Sequence, residues 1–187
     1  VQTSSENDPA ARDASRVVLL GPQSIDGTKQ LAKFCNSITF ENEWVNIDSL
    51  ISLEAEGTKF FPSIVSISPL VDKISQRNLL KKLDIPCAEW HVLSLRKTTD
   101  LKLSLNWDFP LMAKRSKGGY DGKGTKVIRT NNELNQFLKS INEEEWFLEK
   151  WVNYEKELSI VATRDLEGIV RAFPLVETCQ SNQVCDW

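Results

Sequence analysis

Short apolar runs alternate with amphipathic stretches over the first seventy positions. Arg16-Val-Val-Leu-Leu-Gly21 is a continuous apolar run closed by glycine, the pattern of a buried strand, and Ser37-Ile-Thr-Phe-Glu41 is a second. Between them Gly27–Lys33 reads as a short helix that turns Leu31 and the adjoining Phe34 toward a core. Val45–Glu56 carries Val45, Ile47, Leu50, Ile51 and Leu53 as the apolar set of a longer helix, and Phe60–Ile67 includes a third strand. Strands alternating with helices predict a parallel α/β sheet. Three strands make a thin sheet with one edge short of a partner, so this stretch reads as the tail of a larger α/β domain. Val1-Gln2-Thr3 fits either the last step of a further strand or a polar tail.

The pattern changes after Pro69. A helix is predicted from Pro69 to about Leu83, with Asp72 in its first turn and Leu70, Ile74, Leu79, Leu80 and Leu83 on its apolar face; Asp84-Ile-Pro86 stops it. There follow a strand over Glu89–Leu95, a short helix over Thr99–Asn106, a strand over Pro110–Arg115 and a polar, glycine-dense loop over Ser116–Gly124. Thr125–Arg129 is a strand, Asn131–Ile141 an amphipathic helix capped by Asn131, and Trp146–Lys150 a strand. Tyr154–Val161 and Gly168–Phe173 are expected to pair antiparallel about a turn at Asp165–Gly168. This half is an α+β module of short elements around one conspicuous loop.

Composition narrows the class. The 187 residues carry 23 Lys and Arg against 26 Asp and Glu, a formal charge of −3, with 41% hydrophobic and 26% charged positions. That is an ordinary globular balance. It argues against a nucleic-acid binder that works by neutralising phosphates, and no apolar run is long enough to span a bilayer. Cys35, Cys87, Cys179 and Cys185 are too scattered for a disulfide scaffold or a zinc knuckle, and are expected to be reduced, partly buried thiols of a cytosolic protein. His91, the single histidine, reads as a structural residue of its strand. The start lacks the basic and apolar regions of a signal peptide. Val184, Cys185 and Trp187 end the chain without a closing element, and both ends read as cut.

The chemistry concentrates in Ala113-Lys-Arg-Ser-Lys-Gly-Gly-Tyr-Asp-Gly-Lys-Gly-Thr125. Four glycines in seven residues are costly in conformational entropy and contribute nothing to packing. Their N–H groups can cradle an anion, with Lys114, Lys117 and Lys123 supplying charge. The order of residues is neither a Walker A loop nor a dinucleotide fingerprint. A glycine-rich hairpin that binds nothing is the alternative. Lys114 favours the anion, because a lysine facing inward from a strand needs an anionic partner. In the second cluster, Phe147-Leu-Glu-Lys-Trp-Val152 with Glu155 and Glu157, Trp151-Val152 can lie along a planar base and Glu157 can accept from ribose hydroxyls. Taken alone, such carboxylates are more often ordinary solvated residues.

In order along the chain, these segments resemble the ATP-grasp enzymes, and among them the family of the phosphoribosylaminoimidazole carboxylase ATPase subunit, or N5-carboxyaminoimidazole ribonucleotide synthase. The segments are Thr39-Phe-Glu-Asn-Glu-Trp-Val45, Asp72-Lys73 with Leu83-Asp-Ile-Pro86, the lid signature over Lys114–Gly124, Glu149-Lys-Trp-Val-Asn-Tyr-Glu-Lys-Glu-Leu-Ser-Ile160 and Phe173-Pro-Leu-Val-Glu-Thr178. The resemblance implies an ATP-grasp fold, here an incomplete N-terminal Rossmann-like domain over 1–70, a central lid domain over 71–155 and the start of a C-terminal domain over 156–187. It implies ATP-dependent carboxylation of aminoimidazole ribonucleotide by bicarbonate through carboxyphosphate, in the cytoplasm or a plastid. The alternatives are another ATP-grasp ligase acting on a related ribonucleotide and a non-catalytic nucleotide-binding module.

The implied roles follow position by position. Lys73 and Lys114 resemble phosphate-contacting residues. Gly119, Tyr120, Asp121, Gly122, Lys123 and Gly124 form the lid, Glu149 with the backbone of Trp151 and Val152 holds adenine, and Glu157 holds ribose. Glu43 and Tyr120 fall near the ribonucleotide and bicarbonate. The cofactors implied are ATP and Mg²⁺, with the metal's carboxylates expected beyond Trp187, so no residue here is assigned to metal. The partners implied are the small substrates and, at full length, a second copy in a homodimer, with neither nucleic acid nor membrane. Two positions depart from the family pattern: Gln180 stands where a histidine is usual and Trp44 where an asparagine is usual.

Overall fold

The computed structural model describes residues 1–93, 106–119, 124–141, 145–181 and 184–185. The helix expected over Thr99–Asn106 falls almost entirely outside them. The chain divides into two compact units, Val1–Cys87 and Ala88–Trp187.

The first unit is α/β. Parallel pairs join β1 (Gln2–Thr3) to β2 (Val18–Leu19) and β3 (Ile38–Thr39) to β4 (Phe60–Phe61). Gln2-Thr3 is therefore strand, not tail. Between the strands lie α1 (Pro9–Asp13), α2 (Ile25–Ala32) and α3 (Ile47–Ala55), and α4 (Ile64–Ile67) follows β4. The α2 and α3 starts are capped by Ser24 and Asn46, whose side chains accept from the N–H groups of Gly27 and Ser49. Ile38, Leu50, Leu53, Phe60, Ile64 and Ile67 form the core, whereas Phe34 and Ile51, expected to face it, are exposed. Gly27 has a packing reason: a Cβ there would stand 2.5 Å from Gln2 Nε2, which donates to the carbonyls of Gly21 and Ser24 at 2.8 and 3.0 Å.

The helix expected from Pro69 is two elements. A 3₁₀ turn spans Ser68–Leu70, and α5 (Lys73–Lys82) starts afresh with Asp72 as its cap, accepting from Ser75 N–H at 2.7 Å. The aspartate side chain competes for a first-turn donor, which places it before the helix and not inside it.

The second unit is built on an antiparallel sheet in the order β5 (Trp90–Val92), β8 (Trp146–Lys150), β6 (Leu111–Arg115), β7 (Thr125–Ile128). Helix α6 (Asn131–Ser140) packs its Leu134 and Phe137 with Leu93, Leu111, Ala113, Ile128 and Leu148. Its cap is Thr130, not Asn131: Thr130 Oγ1 accepts from Glu133 N–H, and the Glu133 carboxylate accepts from Arg129 N–H at 2.8 Å. With the threonine and the glutamate both bonded to main chain at this end, the helix starts one residue before the asparagine could cap it.

The C-terminal hairpins differ from expectation in register. The turn at Asp165–Gly168 joins β10 (Ala162–Arg164) to β11 (Val170–Ala172), while β9 (Glu157–Ser159) pairs with β12 (Val176–Thr178). A tight turn pairs the residues that flank it directly, and the earlier strand then meets the later one. The short strands β13 (Gln180–Ser181) and β14 (Val184–Cys185) close the described chain. Cys179 is half-buried, and Cys35, Cys87 and Cys185 are exposed where partial burial was expected. Among the described residues no helix is long and apolar enough to cross a membrane.

Candidate functional site

The period of two along β6 and β8 sorts their side chains onto two faces. Leu111, Ala113 and Leu148 face α6. Met112 and Lys114 share the opposite face with their cross-strand partners Glu149 and Phe147. On that face Lys114 Nζ forms an ion pair with Glu149, whose side chain is only 6% exposed. Phe147 is fully buried beside it and meets the Trp90 ring edge-on at 6.2 Å. The two charged residues singled out from separate segments thus meet on one sheet face. A carboxylate taken this far out of water requires such a partner.

The glycine-rich loop leaves the sheet one residue beyond Lys114. Arg115 N–H donates to Gly124 O at 2.9 Å, and Ser116 N–H to Glu145 O at 2.8 Å, so the base of the loop is closed by main chain. Gly118, Gly119 and Gly124 have φ of 68°, 78° and 82°, the left-handed region that other residues enter at a cost. A Cβ on Gly124 would also stand 2.8 Å from Gly119 Cα. Glycine is therefore demanded at the base of the loop by both conformation and close approach. Tyr120, Asp121, Gly122 and Lys123 lie outside the described residues.

Beyond β8 the chain runs from Trp151 to Lys156 without regular pairing. Trp151 and Val152 are exposed, and Trp151 Nε1 donates to Asn153 Oδ1 at 2.9 Å. Glu157, at the start of β9, accepts from Thr178 Oγ1 at 2.9 Å and from Gln180 Nε2 at 2.6 Å, both at Oε1. The sequence marked Gln180 as a departure from pattern but gave no sign that it touches Glu157. That contact depends on the β9–β12 register.

Glu89 and Lys150 form a further ion pair at 2.6 Å at the edge of the sheet, also not anticipated. The hydrogen bond from Lys150, reinforced by its charge and by a smaller contribution from the Trp107 indole, holds the Glu89 carboxyl below the usual glutamate range.

Glu43 and Lys73 belong to the first unit. Lys73 is the first residue of α5. Glu43 lies in a turn where Asn42 Oδ1 accepts from Trp44 N–H at 3.0 Å and Glu43 O accepts from Val45 N–H at 2.9 Å. With Leu70, Gln76, Leu79 and Leu80, Glu43 lines a hollow of about 460 Å³. A separate cavity of about 310 Å³ lies against β3 and the segment after it, lined by Ile38, Phe40, Glu41 and Asn42 among others. In open α/β folds ligands gather where strands give way to loops. Among the described residues no group of three or more His, Cys, Asp or Glu is placed to hold a metal ion.

A lysine on the strand that leads into a glycine-rich segment is thus paired with a buried glutamate on the neighbouring strand. The sequence profile of the ATP-grasp domain matches residues 78–187. The chain belongs to the ATP-grasp family, and its mixed α/β architecture is that fold.

Over all 187 residues the chain is 38% identical to the N5-carboxyaminoimidazole ribonucleotide synthase of Synechococcus elongatus, of which it covers 47%. The N5-carboxyaminoimidazole synthetase of Staphylococcus aureus, solved with ADP, superposes with a TM-score of 0.89 at 26% identity, over 98% of this chain and 49% of that one. The carboxyaminoimidazole ribonucleotide synthase of Aspergillus clavatus, solved with ATP, gives 0.86 at 26% identity, over 96% and 47%. The chain spans about half the length of the curated relatives it matches.

Proposed function

We propose that this chain carries the nucleotide-binding part of an N5-carboxyaminoimidazole ribonucleotide synthase. In that reaction a bicarbonate oxygen attacks the γ-phosphorus of ATP, giving carboxyphosphate and ADP. The exocyclic amine of 5-aminoimidazole ribonucleotide then takes up the carboxyl group, and phosphate leaves. The observation that carries the reading is that the 38% identity runs through all 187 residues, whereas the ATP-grasp domain match begins at residue 78. An ATP-grasp domain alone leaves the acceptor substrate open. A first unit that also aligns with the synthase narrows it.

The chemistry of the side chains supports the assignment. Lys114 has three donors, and the pair with Glu149 leaves donors for a phosphate oxygen. With Lys73 it offsets charge on the transferring phosphoryl group. Glu149 and the backbone of Trp151 and Val152 receive the adenine, and Glu157 the ribose. The segment from Gly119 to Gly124, with Tyr120, Asp121, Gly122 and Lys123, covers the phosphates and keeps water from a hydrolysis-prone acyl phosphate. Glu43 and Tyr120 serve the ribonucleotide and bicarbonate. Mg²⁺ supplies charge compensation in reactions of this class, but the described residues form no cage for it, and each role above belongs to the chain's own groups. The domain division at 70 and 155, assembly as a homodimer, and residence in the cytoplasm or a plastid belong to the same proposal.

The test is phosphate release by the full-length protein with ATP and bicarbonate, with and without aminoimidazole ribonucleotide. Stimulation by the ribonucleotide is expected. A rate indifferent to it would remove the substrate assignment while leaving nucleotide binding intact.

A further inference from the structure

Glu157 is treated differently from the carboxylate across the same strand pair. Along β12 and its continuation, Thr178 and Gln180 are two residues apart and so fall on one face of the extended chain, the face of Glu157, which is the register partner of Thr178. Glu177 takes the other face, where Lys156 binds it at 2.8 Å. The lysine next to Glu157 in sequence is thus committed elsewhere. Among the described residues Glu157 meets only neutral donors: the Thr178 hydroxyl at 2.9 Å and the Gln180 amide at 2.6 Å. Both reach Oε1, and one carboxylate oxygen offers about two acceptor directions. Oε1 is filled by protein, and among the described residues no hydrogen bond reaches Oε2.

We propose that Gln180, with Thr178, is a positioning residue that fixes the Glu157 carboxylate so that Oε2 receives the vicinal hydroxyls of the nucleotide ribose. The proposal rests on the reading of Glu157 as the ribose ligand and goes beyond it. It makes discrimination between ribose and deoxyribose depend on a neutral amide 23 residues away in sequence. Neutral donors suit this task. They orient the carboxylate without cancelling its charge, which a lysine at the same place would do, so its attraction for hydroxyl donors is kept.

The experiment is calorimetric titration of the full-length protein with ADP and with 2′,3′-dideoxy-ADP. The unsubstituted protein is expected to prefer ADP by roughly tenfold, the scale of a hydrogen bond to a charged group. In Gln180→Leu the ADP affinity should fall until the preference is about two- to threefold, with dideoxy-ADP unmoved. Gln180→His, which keeps a nitrogen donor, should recover the preference. Thr178→Val, which keeps the strand's shape, gives a second reading if circular dichroism shows Gln180→Leu misfolded. An undiminished preference in the folded variants overturns the proposal, as does equal weakening of both nucleotides, the result of a mere structural staple. A protein that binds ADP without preferring it over dideoxy-ADP overturns the ribose role of Glu157 itself.

Discussion

At Lys114 one side chain meets two demands. It sits on the strand leading into the glycine-rich hairpin and pairs with the buried Glu149. Replacing it with alanine removes the phosphate donor and leaves a carboxylate in a low-dielectric place. Lys114→Ala is expected to weaken ATP binding by about tenfold or more, the scale of a lost charge-assisted hydrogen bond. Unchanged affinity in a folded variant, measured by titration, would contradict the role. Glu89 responds to the same kind of force where solvent screens it. Its carboxyl pKa lies below the ordinary value, chiefly through the hydrogen bond from Lys150. A pKa depressed by folding adds stability above the unfolded value and loses it as pH falls through the folded one. The pair is exposed, so the contribution is small and salt-sensitive. Lys150→Met should return the Glu89 carboxyl to the usual range in an NMR titration; an unmoved titration would place the cause elsewhere. Lys114 was legible in the sequence, because a lysine inside a strand needs an explanation; Glu149, taken alone, read as a solvated carboxylate and stood out only through the family resemblance. Gln180 was visible only as an anomaly, because its contact with Glu157 depends on a pairing across 23 residues.

Among the elements, apolar periodicity located the strands and helices well, and side-chain hydrogen bonding decided their ends. Asp72 and Thr130 show why: each caps a helix by accepting from a first-turn N–H, and apolar spacing carries no record of that. Hairpin pairing failed in the same manner. The turn at Asp165–Gly168 was readable from its residues, whereas the pairing of Glu157–Ser159 with Val176–Thr178 required knowing how far the hairpin extends. The lid base is the element whose geometry is most demanding. Gly124 combines a φ of 82° with a 2.8 Å approach to Gly119 from the position of an added Cβ. Gly124→Ala is expected to lower stability by about 1–3 kcal/mol in chemical denaturation and to weaken nucleotide binding as well. A variant with unaltered stability would show that the loop base relaxes freely.

At the scale of the molecule, two units of different construction lie in one chain. The first buries parallel strands under helices, and the second builds a helix-backed antiparallel sheet whose other face carries Lys114 and Glu149. Their sequence patterns differ accordingly, continuous apolar runs in one and short alternating strands in the other. The change of pattern was legible. The compact units divide between Cys87 and Ala88, after α5 and the Leu83-Asp-Ile-Pro86 stop. The proposed chemistry is carboxylation of aminoimidazole ribonucleotide at the expense of ATP. Its most direct test is the fate of ¹³C-bicarbonate in the full-length protein supplied with ATP and aminoimidazole ribonucleotide. The label is expected to appear, dependent on ATP, as a carbamate carbon on the exocyclic amine of the ribonucleotide, one for each ADP formed. ADP formation with the ribonucleotide left unlabelled would contradict it.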